Sequence, residues 1–121
     1  MEKNKILIVD DDPRNIFALS AVLRSRGYDC KSCNNAEAAI TFLKTDEPID
    51  TLLLDMMMPE MDGYEAIPII KELENRSDLL IVAVTAQAMV GDREKCLETG
   101  AHDYISKPVD IDKLVAVLQN R

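Results

Sequence analysis

The stretch Lys5-Ile6-Leu7-Ile8-Val9-Asp10-Asp11-Asp12-Pro13 decides how the rest of the chain is read. Ile6 to Val9 is an unbroken apolar run, mostly β-branched, which suits a strand buried on both faces rather than a half-exposed one. Three acids then break the run, and Pro13 has the fixed φ that opens a helix at its first turn. Leu52-Leu53-Leu54 ahead of Asp55, and Leu79 to Val84 ahead of Thr85, repeat the buried-strand character.

Elsewhere apolar residues recur at helical spacing. Ala36, Ala39, Ile40 and Leu43 fall at i, i+3, i+4 and i+7, as do Ala66, Ile69, Ile70 and Leu73, and again Ile111, Leu114, Val115 and Leu118. Each set is the inward stripe of a helix. Gly27 can close the first helix and Gly100 the fourth, while Asn34 or Asn35 can cap the second and Asp110 the last. With a short strand after Tyr28 and another ahead of Lys107-Pro108, strand and helix alternate five times without linker, repeat or low-complexity tract. This predicts one α/β domain over residues 1–121, its parallel sheet doubly wound and covered on both faces. Pro68 conflicts locally, because a proline inside a helix removes a hydrogen bond, and it predicts a kink or a late start of the third helix.

Composition narrows the function. The 121 residues carry 14 Lys and Arg against 22 Asp and Glu, and a net charge of -8 repels nucleic acid and anionic membrane surfaces. No apolar run nears the roughly 20 residues of a membrane helix and no signal-peptide core opens the chain, so a cytoplasmic protein is expected. Cys30 and Cys33 form a Cys-x-x-Cys, but in a strand they face opposite sides, which argues against a shared metal or disulfide. His102 stands alone as a surface or packed residue.

The polar residues that the fold does not need all follow strands: Asp10, Asp11 and Asp12, then Asp55, Thr85 and Lys107. All land on the edge where doubly wound sheets bind ligands. If the first and third strands are neighbours, Asp10, Asp11 and Asp55 converge and repel, and a raised pKa, a cation such as Lys107 or a divalent metal must offset that. An all-oxygen ligand set with room for waters favours Mg2+. Asp12, beside Pro13, reads instead as a helix cap. A carboxylate beside Mg2+ can attack a phosphoryl group, and Asp55, at the tip of the most apolar strand, is the candidate, with Lys107 to neutralise charge and Thr85 to donate a hydrogen bond.

Ile8-Val9-Asp10-Asp11, Leu54-Asp55-Met56-Met57-Met58-Pro59, Met61-Asp62-Gly63, Thr85-Ala86 and Lys107-Pro108, in this order and spacing, resemble the receiver domain of two-component response regulators. The resemblance covers essentially the whole chain. It implies a flavodoxin-like (βα)5 fold of strand order 2-1-3-4-5, and phosphorelay from a sensor histidine kinase or a histidine phosphotransfer protein onto Asp55. It further implies direct Mg2+ binding by Asp11, Asp55 and the Met57 backbone carbonyl, with Asp10 acting through water, and a cis Lys107-Pro108 bond. Thr85 and Tyr104 would shift after transfer and remodel the surface of the fourth helix, fifth strand and fifth helix for an unknown downstream protein. Small Ala86 would leave the site open, and Met57 and Gln87 would flank attacking water and tune the phosphoaspartate lifetime. The run Met56 to Met58 reads as adaptable packing or as a partner surface. Asn15-Ile16-Phe17-Ala18-Leu19 resembles receivers at the ends of hybrid histidine kinases, and with no effector segment after Arg121 the output is expected through partner binding.

Other classes fit less well. An aspartyl-nucleophile Mg2+ phosphatase of the haloacid dehalogenase type needs a second acid two residues after Asp55, where Met57 stands. A flavin module on this architecture would set its phosphate against three acids. A receiver-like interaction module that is never phosphorylated would have no use for the charge cluster. The expected role is a regulatory phosphoacceptor that assists its own phosphorylation and dephosphorylation, rather than an enzyme.

Overall fold

Each buried apolar run becomes a strand and each amphipathic stretch a helix in the computed structural model, which describes residues 3–86 and 90–120. In chain order these are β1 (Lys5–Val9), α1 (Pro13–Ser25), β2 (Asp29–Cys33), α2 (Ala36–Leu43), β3 (Thr51–Asp55), α3 (Gly63–Lys71), β4 (Leu80–Thr85), α4 (Asp92–Thr99), β5 (Asp103–Ser106) and α5 (Ile111–Gln119), with a 3-10 turn at Glu74–Arg76 between α3 and β4. The strands form one parallel sheet in the order 2-1-3-4-5, the flavodoxin-like arrangement.

Alternation along the strands divides the core in two. Leu7, Val9, Leu52, Leu54, Ile81 and Ala83 face α2, α3 and α4, whereas Ile6, Ile8, Leu53, Val82, Val84 and Ile105 face α1 and α5. Central β3 is buried along its whole length, and edge strand β2 is mostly exposed. Cys30 joins the α1–α5 side and Cys33 packs on the other, so the Cys-x-x-Cys is split by the sheet.

The caps follow local chemistry. Asp12, Asn35, Asp62 and Asp110 each accept a backbone N–H at the start of α1, α2, α3 and α5, and Gly27 takes a left-handed φ of 93° just after α1. His102 lies at the sheet edge, its Nδ1 accepting the Ile81 N–H at 3.0 Å.

Of the two outcomes expected at Pro68, the late start does not occur: α3 starts at Gly63 and runs through Pro68, which sits on the solvent side. α3 also differs from expectation in its inward stripe. Its buried face is Gly63, Ala66, Ile67 and Ile70, while Ile69 is 41% exposed and Leu73 lies beyond the helix. The rotation has a physical cause. A Cβ on Gly63 would collide with Met56 Sδ and lie 2.9 Å from Met56 Cα, so only glycine lets the helix start press against that loop, and this contact sets which face turns inward.

Candidate functional site

Val9 pairs with Leu54, so Asp10 and Asp55 leave adjacent strands side by side where the winding of the sheet reverses. Asp10, Asp11 and Asp55 each bring a carboxylate oxygen within 4.8 Å of the others. Asp10 is 7% exposed and Asp55 4%, while Asp11 is open to solvent. Two such charges ~4 Å apart repel by ~4 kcal/mol at an effective dielectric of ~20.

Lys107 offsets this repulsion. Its Nζ donates to Asp10 Oδ2 at 3.1 Å and to Asp55 Oδ2 at 3.3 Å. Backbone amides hold the other oxygens: Asp12 N–H donates to Asp10 Oδ1 at 2.9 Å and Met57 N–H to Asp55 Oδ1 at 3.0 Å. Burial pushes the Asp55 carboxyl above its ordinary value. The Met57 N–H and the Lys107 charge pull it back, and the Asp10 charge pushes it further up. Burial also disfavours the Lys107 ammonium, but the hydrogen bond to Asp10 and the charges of Asp55 and Asp10 outweigh that, and its pKa rises.

Neighbouring strands place the remaining residues. Thr85 pairs with Ser106, and Lys107 N–H donates to Thr85 O at 2.7 Å, which brings the lysine to the rim ahead of a cis Lys107–Pro108 peptide bond. Thr85 is buried one strand over from Asp55, and Ala86 is exposed. Tyr104 lies half-buried against the α2–α4 side, its hydroxyl pKa raised by burial first and then by Asp92 and Cys96. Asp12 stays out of the cluster, held by Arg14 at 3.0 Å and by its capping bond. Met56 and Met58 are buried and Met57 is 47% exposed, so the methionine run both packs and offers surface. Gln87 lies outside the described residues.

The donor set is all oxygen, two buried carboxylates beside one open to water. That fits a hard divalent cation which retains several waters, and Asp10, Asp11 and Asp55 could hold it.

Two features escaped the sequence reading. A cleft of about 530 Å3 runs from Asp10, Asp55 and Lys107 between α1 and α5, where Ala18, Leu19, Val22 and Val109 line it. On another face of α1, outside the cleft lining, Phe17 stands 77% exposed. The spacing of Asn15, Ala18, Leu19 and Val22 carried that signal, a second helical stripe on α1 beside the one that packs inward. The close approach of Gly63 to Met56 left no trace beyond the glycine itself.

Residues 6–119 match the family model of the response regulator receiver domain. The chain belongs to that family. Among relatives, it is 41% identical over 113 residues to the sensor histidine kinase RcsC of Salmonella typhi, a match spanning 93% of this chain and 12% of that protein. The receiver domain of sensor histidine kinase PA1611 from Pseudomonas aeruginosa, solved with a magnesium ion in its active site cleft, superposes with a TM-score of 0.87 at 36% identity, covering 98% and 97% of the two chains. The Saccharomyces cerevisiae Ssk1 receiver domain, crystallised with the histidine phosphotransfer protein Ypd1, gives 0.87 at 28% identity over 97% of this chain and 87% of that one. The domain is thus a receiver of two-component phosphorelay signalling, similar to segments of sensor histidine kinases. No described helix is long and apolar enough to cross a membrane.

Proposed function

We propose that Asp55 accepts a phosphoryl group from a phosphohistidine on a kinase or histidine phosphotransfer protein, with Mg2+ as cofactor, and that residues 1–121 act as one switching unit. The observation that carries this is Asp55 itself: a buried carboxylate with two acids within 4.8 Å and one ammonium at 3.3 Å. An Asp55 carboxylate oxygen attacks phosphorus, the P–N bond to the donor imidazole breaks, and its electron pair stays on the imidazole nitrogen.

Asp11, Asp55 and the Met57 carbonyl would hold the ion, Asp10 through water. When bound, Mg2+ supplies charge neutralisation for the phosphoryl oxygens. Lys107 already pairs with Asp55 and is positioned to follow the new negative charge onto the phosphoryl group. Thr85, buried at the tip of β4, donates its hydroxyl to the same group, and Ala86 keeps the approach open. Tyr104 follows Thr85, and the shift repopulates the surface of α4, β5 and α5 for a downstream protein. Met57, two residues beyond the acceptor, and Gln87 set how long the acyl phosphate lasts. Exposed Phe17 on α1 offers the donor protein an apolar foothold.

Intact mass after incubation with acetyl phosphate tests this reading. A Mg2+-dependent gain of one phosphoryl group, lost in Asp55→Asn, is the expected result. No gain from acetyl phosphate or phosphoramidate assigns the chain to unphosphorylated interaction modules instead.

A further inference from the structure

We propose that the first turn of α3 mechanically joins the acidic site to α4, through Met56, Gly63, Tyr64 and Cys96, by a route separate from Thr85 and Tyr104. The inference rests on Asp55 being the phosphoryl acceptor and concerns how that site reaches the surface.

The site end of the route is tight. Met56 directly follows Asp55, is fully buried, donates its N–H to Val84 O at 2.8 Å and accepts the Gly63 N–H at 3.2 Å. At Gly63 even a Cβ would fall 2.9 Å from Met56 Cα, so a displacement of Met56 must move the start of α3. That turn moves as one body. Asp62 accepts the Glu65 N–H at 2.9 Å and Glu65 accepts the Asp62 N–H at 3.3 Å, a reciprocal cap.

The other end grips α4. Tyr64 Oη lies 3.6 Å from Cys96 Sγ, and Lys95 Nζ stands 4.3 Å from the centre of the Tyr64 ring. Among the described residues α4 also packs on β5, but it buries few side chains. Within Asp92–Thr99 Cys96 is buried while every other residue is exposed or half-buried, and Gly91 starts the helix with no side-chain cap. An element with so few buried contacts is where a small push repopulates positions. The Tyr64 grip sets how easily α4 leaves its place.

Hydrogen exchange of the α4 amides tests this in wild type, Tyr64→Phe, Tyr64→Ala, Thr85→Ala and the Thr85→Ala/Tyr64→Ala double variant. Each is measured without ligand, with Mg2+, and with Mg2+ plus beryllofluoride, whose occupancy is read by fluorine NMR in the same samples. Loss of the hydroxyl contact and the cation–ring contact in Tyr64→Ala should speed ligand-free α4 exchange about fivefold, and Tyr64→Phe should do so by less. Thr85→Ala should retain part of the beryllofluoride-dependent change in α4, and the double variant should lose it. Ligand-free α4 exchange at the wild-type rate in Tyr64→Ala overturns the link. So does complete loss of the α4 response in Thr85→Ala at full occupancy. Absence of bound beryllofluoride in wild type counts against the acceptor reading instead, and the ligand-free arm then decides the grip on α4.

Discussion

Lys107 Nζ lies 3.3 Å from Asp55 Oδ2 although the two residues are 52 positions apart. The same nitrogen is 3.1 Å from Asp10, so one cation balances two buried carboxylates. Lys107→Met should therefore destabilise the metal-free protein by about 2 kcal/mol, less than the ~3–5 kcal/mol of a sealed pair because solvent reaches the site. Mg2+ should restore more stability to this variant than to wild type. Thermal unfolding with and without Mg2+ measures it, and equal Mg2+ shifts in both proteins would count against the balance.

Asp55 has a pKa raised from its ordinary 3.8, chiefly by burial. The folded state thus holds the proton more tightly than the unfolded chain, and ionised Asp55 costs stability at neutral pH. As pH falls through the raised folded pKa towards 3.8, that cost disappears. Metal-free Asp55→Asn should be more stable than wild type at neutral pH, with the two converging across that window. Denaturant titrations at several pH values check this. Mg2+ affinity of the wild type should weaken over the same range, as protons compete for the carboxylate.

Gly63→Ala should cost about 1–3 kcal/mol, since the added carbon overpacks against Met56. Met56 is bracketed by Asp55 and Met57, so Mg2+ affinity should fall as well. Adding Met56→Ala removes the sulfur from the collision and should recover part of both losses. Thermal unfolding paired with a Mg2+ titration reads the two effects. Unchanged Mg2+ affinity in Gly63→Ala would confine the glycine to a packing role.

Phe17 is 77% exposed, so Phe17→Ala should change stability by no more than about 0.5 kcal/mol. Phosphorylation by acetyl phosphate should be untouched, whereas transfer from a histidine phosphotransfer protein should slow. Parallel rate measurements with the two donors separate a docking contact from a chemical one.

The alternation of strands and helices was legible in the sequence, as were the caps at Asp12, Asn35 and Asp110, because period and capping are local properties of a few consecutive residues. Asp10, Asp11 and Asp55 could be assigned to strand tips on the same grounds. The strand order came only through the family resemblance. Tertiary structure alone decided that the Lys107 ammonium reaches both Asp10 and Asp55, that α3 turns Ile67 inward and Ile69 outward, and that α1 leaves Phe17 bare and borders a cleft with Ala18, Leu19 and Val22. These outcomes depend on which backbone lies alongside which. A glycine pressed against Met56 or an ammonium shared by two carboxylates is a relation between distant segments, and short-range spacing carries no record of it.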